Sequence, residues 1–144
     1  MLYANDRDRL RGVYCDVWQK HREGQPLEAM EALIRDVILD HGEYRSLLED
    51  RERALGDDFP PELGRINPFL HMSLHLAIRE QLATDRPPGI RAEYQRLLTA
   101  LGNAHEVEHR IMECLGRALH EAQRSARGPD DAAYLACIQS IARG

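Results

Sequence analysis

Apolar residues recur along this chain at the three- and four-residue spacing of α-helices, and alternating segments typical of strands are almost absent. Glycine and proline, which break helices, interrupt the pattern at residues 24, 60–61, 87–89 and 128–129. The sequence therefore predicts an all-α fold, a compact helical bundle of about six helices with antiparallel neighbours. We expect one α-helical domain over residues 1–144, because a chain of this length suits a single domain.

Capping residues indicate several helix boundaries. Asn67 before Pro68 favours a helix start, because asparagine caps the first turn and proline tolerates the first helical position. Asn103 with Glu106 resembles a capping box. The predicted helices cover 6–22, 26–40, 68–83, a segment around 94–101, 103–124 and 130–142, with a short further helix over 43–50. The apolar stripe of the first helix comprises Leu10, Val13, Tyr14, Val17 and Trp18.

The charge balance excludes several classes of partner. Lysine and arginine total 19 against 24 aspartates and glutamates, a formal net charge of −5, which disfavours nucleic acid and anionic membrane surfaces. No apolar run reaches the roughly 20 residues that a membrane span needs, and the charged N-terminus, MLYANDRDRL, does not resemble a signal peptide. We therefore expect a cytoplasmic protein that binds neither nucleic acid nor membranes.

The cysteines and arginines suggest structural roles. The three cysteines, Cys15, Cys114 and Cys137, form no C-x-x-C pair, and this favours reduced thiols that pack in the core. Lys20 is the only lysine, and the arginines are spread along the chain without a dense run. We expect the arginines to lie on solvent-exposed helix faces, where they pair with aspartate and glutamate.

Four of the seven histidines form two pairs of identical spacing, His71 with His75 in HMSLH and His105 with His109 in HEVEH. Residues four apart lie on one helix face about 6 Å apart, close enough for two imidazoles to bind one metal ion. Each pair falls within an apolar stripe, so we expect it to face the interior, and Glu108 shares the second stripe. If the two helices are neighbours, four imidazoles and one carboxylate meet in one buried volume.

This convergence predicts a metal centre. Imidazole ligands suit transition metals, with zinc as the first choice and iron or manganese as the second. The candidate metal residues are His71, His75, His105, His109, Glu108 and His41. His41 is included because it ends the stripe of a third helix, and Glu108 is the candidate general base or a ligand. A histidine–carboxylate hydrogen-bond network without metal is the competing interpretation, since buried N–H groups need partners.

The sequence contains short matches to catalytic motifs, but it does not contain a complete set of catalytic residues. HEVEH matches the H-E-x-x-H zincin pattern with Glu106 as base, and also the H-x-x-E-H inverzincin pattern with Glu108 as base. Glu106-x-x-His109 matches half of the di-iron carboxylate pattern, and no second copy follows in the sequence. The sequence therefore leaves open whether the protein is an enzyme.

Several segments resemble one known family. They are NPFLHMSLHLAIREQ (67–81), PPGIR (87–91), HEVEHRIMECL (105–115) and EAQR (121–124), with VYCDVWQKH (13–21) and VILDHGEY (37–44). Together these segments span nearly the whole chain, and they are similar to the family designated domain of unknown function 1841. The resemblance implies a small cytoplasmic bacterial protein, and it implies no activity.

Two functions from different classes follow from these patterns. The first is a metal-binding helical protein, with a metalloenzyme as its more specific form. The second is a non-enzymatic interaction or adaptor module, in one form a homodimer, whose core histidines form a structural hydrogen-bond network. The second predicts an exposed apolar patch on the first or last helix. On the last helix the patch would comprise Tyr134, Leu135, Ile138 and Ile141.

Overall fold

The structure, a computed structural model, describes residues 2–60 and 67–142. Over these residues it contains eight α-helices, one 3₁₀ helix and no strand. The α-helices are α1 (Leu2–Arg22), α2 (Ala29–Leu39), α3 (Arg45–Leu48), α4 (Arg51–Gly56), α5 (Pro68–Thr84), α6 (Ile90–Leu101), α7 (Ala104–Ser125) and α8 (Asp131–Ser140); the 3₁₀ helix is Gly42–Tyr44. The predicted all-α class is confirmed, and the predicted number of about six helices is too low.

The additional helices lie between α2 and α5. The single short helix predicted over 43–50 is divided into the 3₁₀ helix and α3, and α4 was not predicted. Asp50 explains the start of α4, because its side chain accepts a hydrogen bond from the Arg53 backbone N–H at 3.2 Å and so caps this helix. The predicted irregular stretch lies partly at 61–66, outside the described residues.

The capping residues predicted for α5 and α7 are confirmed. Asn67 Oδ1 accepts hydrogen bonds from the backbone N–H groups of Phe69 and Leu70, at 3.0 and 3.3 Å. Asn103 Oδ1 accepts one from Glu106 at 3.0 Å. Both helices begin and end within one residue of the predicted bounds. None of the helices in the described segments combines the length and apolar character that a membrane span requires.

The chain divides into two compact units, Met1–Ser73 and Leu74–Gly144, and the division falls within α5. In the first unit α1 packs against α2 and α4. Its core comprises Tyr14, Val17, Trp18, Ile34, Val37, Ile38, Leu47, Leu48, Phe59 and Phe69. That the units form one domain stays a prediction.

The second unit has its own core, in which α8 is a full participant. The core residues include Ile78, Ile90, Leu97, Val107, Ile111, Leu115, Tyr134 and Ile138. Leu135 and Ile141 pack against the same core, so the exposed patch predicted on α8 is wrong. The apolar residues of α8 are covered by α6 and α7, which both contact this helix.

The prediction of reduced thiols is wrong for two of the three cysteines. Cys114 on α7 and Cys137 on α8 form a disulfide, whereas Cys15 is free and buried. The packing of α8 on α7 brings the two Cα atoms within 5.8 Å of each other, a separation that a disulfide spans. Sequence spacing alone gives no sign of this, because the two cysteines are 23 residues apart.

Some arginines bind the C-terminal carbonyls of helices in addition to acidic partners, as Arg96 does beside its ion pair with Glu93 at 2.8 Å. The Arg96 guanidinium donates to the carbonyls of Ile138, Gln139 and Ile141 at 3.0 to 3.3 Å. Arg91 likewise donates to two carbonyls at the end of α5. Carbonyls in the last turn of a helix lack the usual i+4 backbone donor, and they carry the negative end of the helix dipole. Arg96 therefore stabilises the end of α8.

Replacing Arg96 by alanine should lower the free energy of unfolding by about 1 to 2 kcal/mol, because α8 loses a charged donor at its last carbonyls. Urea denaturation followed by circular dichroism measures the change. Arg110→Ala is the matched control, since Arg110 is an exposed residue of α7 paired with Glu106 at 3.7 Å. We expect that control to change stability by less than about 0.5 kcal/mol, and equal effects of the two substitutions would contradict the role of Arg96.

Candidate metal centre

The second unit brings together His75 from α5 with His105, Glu108 and His109 from α7, and we call these four residues the histidine cluster. His75 is fully buried, and Glu108 is only 7% exposed. His109 is half-buried, and His105 is exposed. The cluster therefore extends from the core of the unit to its surface, and the expectation that His105 faces the interior is wrong.

Glu108 is held by two donors. His75 Nδ1 lies 2.5 Å from Glu108 Oε1, and Arg79 Nε donates to the same oxygen at 3.1 Å. Burial raises the pKa of Glu108, but the hydrogen bond from His75 and the charge of Arg79 outweigh burial and hold the pKa below its ordinary value. An ionised carboxylate only accepts hydrogen bonds, so the shared proton is assigned to His75 Nδ1. In neutral His75, Nε2 then carries a lone pair.

The three imidazoles of the cluster lie in mutual contact. His75 Nε2 is 3.2 Å from His109 Nε2. The ring centroids are 4.9 Å apart for His75 and His109, and 4.2 Å apart for His105 and His109. His75 and His105 stack with centroids 5.6 Å apart. Two ring nitrogens therefore face each other directly, with a third imidazole beside them.

The first unit contains a histidine pair, His41 and His71. Their ring centroids are 5.0 Å apart in an edge-to-face arrangement, and Tyr44 stacks on His41 at 5.7 Å. The buried His41 donates from Nδ1 to the Val37 carbonyl at 2.7 Å, so its lone pair is also on Nε2. His71 precedes His75 by one turn on α5. That His41 and His71 bind metal stays a prediction.

Arg79 and Tyr44 were not predicted from the sequence as site residues. Glu106 was considered as a general base, and it lies outside the histidine cluster. Arg79 follows His75 by four residues on α5, so its spacing was the available signal. Tyr44 follows His41 by three residues within a 3₁₀ turn. Burial, and secondarily Glu43, raise the pKa of Tyr44, which keeps the phenol protonated. Glu106 is exposed and pairs with Arg110, so the zincin arrangement with Glu106 as base has no support here.

The fold and the histidine cluster define an all-α protein with a buried histidine–carboxylate pair. The family model of a domain of unknown function, DUF1841, matches residues 6–140, and the chain belongs to this family. The resemblance seen in the sequence is therefore confirmed. Comparisons with curated proteins and with solved structures found no match. The geometry of the histidine cluster is therefore what indicates a function.

Proposed function

We propose that this protein binds one transition-metal ion through the histidine cluster, with His75 and His109 as ligands. The observation that supports this is the 3.2 Å separation of their Nε2 atoms. Two nitrogens that each lie about 2.1 Å from one ion are about 3.0 to 3.4 Å apart in octahedral or tetrahedral geometry. The two imidazoles therefore have the spacing of ligands without large rearrangement.

Glu108 orients the His75 ring. Its carboxylate accepts the Nδ1 proton, which fixes the tautomer whose Nε2 lone pair points towards His109. Histidine ligands of metals commonly donate their other ring N–H to a carboxylate, which also raises the basicity of the ligating nitrogen. Because Glu108 Oε1 already accepts from His75 and Arg79, we assign Glu108 this orienting role rather than that of ligand or general base.

His105 is the candidate third ligand, and its exposure bears on reactivity. Its ring lies beside that of His109 on the exposed side of the cluster. An ion held by three imidazoles keeps a position for water, and such water is acidified by the metal. A metalloenzyme is therefore the more specific form of the proposal, with zinc the first choice and iron or manganese the second.

A metal-free hydrogen-bond network is the alternative function of the cluster. If His109 Nε2 carries a proton, it donates to His75 Nε2 across the same 3.2 Å, and a chain runs from His109 through His75 to Glu108. Such a network would rigidify the core without binding any ligand. The adaptor hypothesis that accompanied it has lost its predicted surface on α8, since Tyr134 and Ile138 are buried, whereas Leu10 and Val13 are exposed on α1.

Metal analysis separates the two interpretations. Protein purified without a polyhistidine tag should retain about one equivalent of metal by inductively coupled plasma mass spectrometry, and His109→Ala should lose it. His120→Ala is the matched control, because His120 is an exposed histidine of the same helix. If wild-type protein neither contains metal nor binds added zinc, iron(II) or manganese(II) by calorimetry, the proposal fails and the network stands.

A further inference from the structure

The disulfide between Cys114 and Cys137 has one buried and one accessible sulfur-bearing residue. Cys114 is 3% exposed and belongs to the core of the second unit. Cys137 is partly exposed, although it packs against the same core. A thiolate that arrives from solvent attacks one of the two sulfur atoms of a disulfide. Because Cys137 is the more exposed residue, we expect the attack to occur there.

A cationic group lies beside the sulfur of Cys137. Arg117 Nη1 is 3.7 Å from Cys137 Sγ, and Arg117 is an exposed residue of α7. A neighbouring guanidinium stabilises a thiolate and lowers its pKa. It would attract an incoming thiolate and would also stabilise Cys137 whenever that sulfur departs or attacks as a thiolate.

The packing of α8 does not depend on the disulfide alone. Tyr134 donates to Gln81 Oε1 at 2.7 Å, and Ile138 is fully buried in the core. Arg96 binds the carbonyls at the end of the helix. These contacts would hold α8 in place after the sulfur–sulfur bond opens, so that the two thiols stay close enough to re-form it.

We propose that Cys114–Cys137 is an exchangeable disulfide that accepts two electrons from a dithiol, with Cys137 as the residue attacked and Cys114 as the first leaving group. A thiolate of the dithiol attacks Cys137 Sγ, the Cys114–Cys137 bond breaks, and its electron pair goes to Cys114, which then takes a proton. The second thiol of the dithiol, as a thiolate, attacks the sulfur that was joined to Cys137. Cys137 leaves as a thiolate beside Arg117, the dithiol becomes a disulfide, and both protein thiols are reduced.

The experiment compares single-cysteine proteins in a Cys15→Ser background. After reduction, Cys114→Ser leaves Cys137 as the one thiol, and Cys137→Ser leaves Cys114. Each is mixed with oxidised glutathione, and the mixed disulfide is followed by intact mass. We expect Cys137 to react at least about tenfold faster, because only its residue is accessible. Equal rates, or faster reaction at Cys114, would overturn the assignment.

The role of Arg117 is tested in the Cys15→Ser, Cys114→Ser protein, and the disulfide itself is tested in the wild-type chain. Arg117→Ala should slow the reaction of reduced Cys137 with oxidised glutathione about threefold at low salt, and Arg117→Lys should retain most of the rate. The difference should disappear in 1 M salt, which screens an exposed charge but would not restore lost packing. Titration of three thiols in denatured protein prepared without reductant would show that no disulfide forms and would end the proposal.

Discussion

Replacing Glu108 by alanine should lower the free energy of unfolding by about 2 to 3 kcal/mol. The carboxylate is the acceptor shared by His75 and Arg79, whose side chains are 0% and 18% exposed. Removing one partner of a buried pair strands the others, which costs about 3 to 5 kcal/mol when the pair is fully buried. The partial exposure of Arg79 lets water replace part of the interaction, so we expect a smaller loss of stability than for a fully buried pair.

The same substitution should weaken metal binding by about 10- to 100-fold, because His75 loses the group that fixes its tautomer. Competition with a chromophoric chelator measures the affinity, and urea denaturation of the metal-free protein measures stability. Glu113→Ala is the control, since Glu113 is an exposed glutamate of the same helix. Loss of stability with unchanged metal affinity would assign Glu108 to a structural network instead.

The pH dependence provides a further readout of the Glu108 interaction. The pKa of Glu108 is lower in the folded protein than its ordinary value of 4.5. Its stabilising contribution is therefore present above the unfolded-state pKa and is lost as pH falls through the lower folded-state pKa. The stability difference between wild type and Glu108→Gln should accordingly shrink as the pH falls below that range.

The histidine cluster shows which parts of a site local sequence can predict. The i, i+4 spacing placed His105 and His109 on one helix face with Glu108, because helix geometry fixes these relations within a single element. The hydrogen bond from His75 to Glu108 depends on how α5 and α7 pack, and the sequence could indicate it only conditionally. Arg79 was missed because a charged residue on a helix is ordinarily interpreted as solvated.

Long-range packing accounts for the other differences between prediction and structure. Cys114 and Cys137 become partners only because α8 folds back onto α7. The arginines illustrate the same limit, since Arg96 reaches carbonyls more than 40 residues further along the chain. Helix boundaries at Asn67 and Asn103 were predictable because a cap depends on neighbours within three residues.

On α1, a buried arginine replaces two apolar residues that the sequence predicted to face the interior. The apolar pattern placed Leu10 and Val13 inside, but they are 50% and 39% exposed. Arg11 is buried instead, and its guanidinium donates to the carbonyls of Ala54 and Asp57 at 3.0 and 2.6 Å. These carbonyls lie at the end of α4, so the arginine binds a helix terminus that the sequence did not predict.

Replacing Arg11 by alanine should lower the free energy of unfolding by about 3 kcal/mol. Hydrogen bonds from a charged donor contribute about 1.5 to 3 kcal/mol, and a cation over an aromatic face adds about 0.5 to 2. Arg11 makes both kinds of contact, since its guanidinium carbon lies 5.4 Å from the Phe59 ring centroid and 5.0 Å from that of Phe69. Equilibrium denaturation measures the loss, and amide hydrogen exchange should show faster opening at α4.

Two further variants separate the contributions of Arg11. Arg11→Met fills most of the volume but removes the donors, so it should recover only the packing part of the loss. Arg9→Ala is the control, because Arg9 is exposed on the same helix and should change stability by less than about 0.5 kcal/mol. If Arg11→Met were as stable as wild type, the guanidinium would contribute only as apolar bulk. The interpretation of Arg11 as the group that binds the end of α4 would then be wrong.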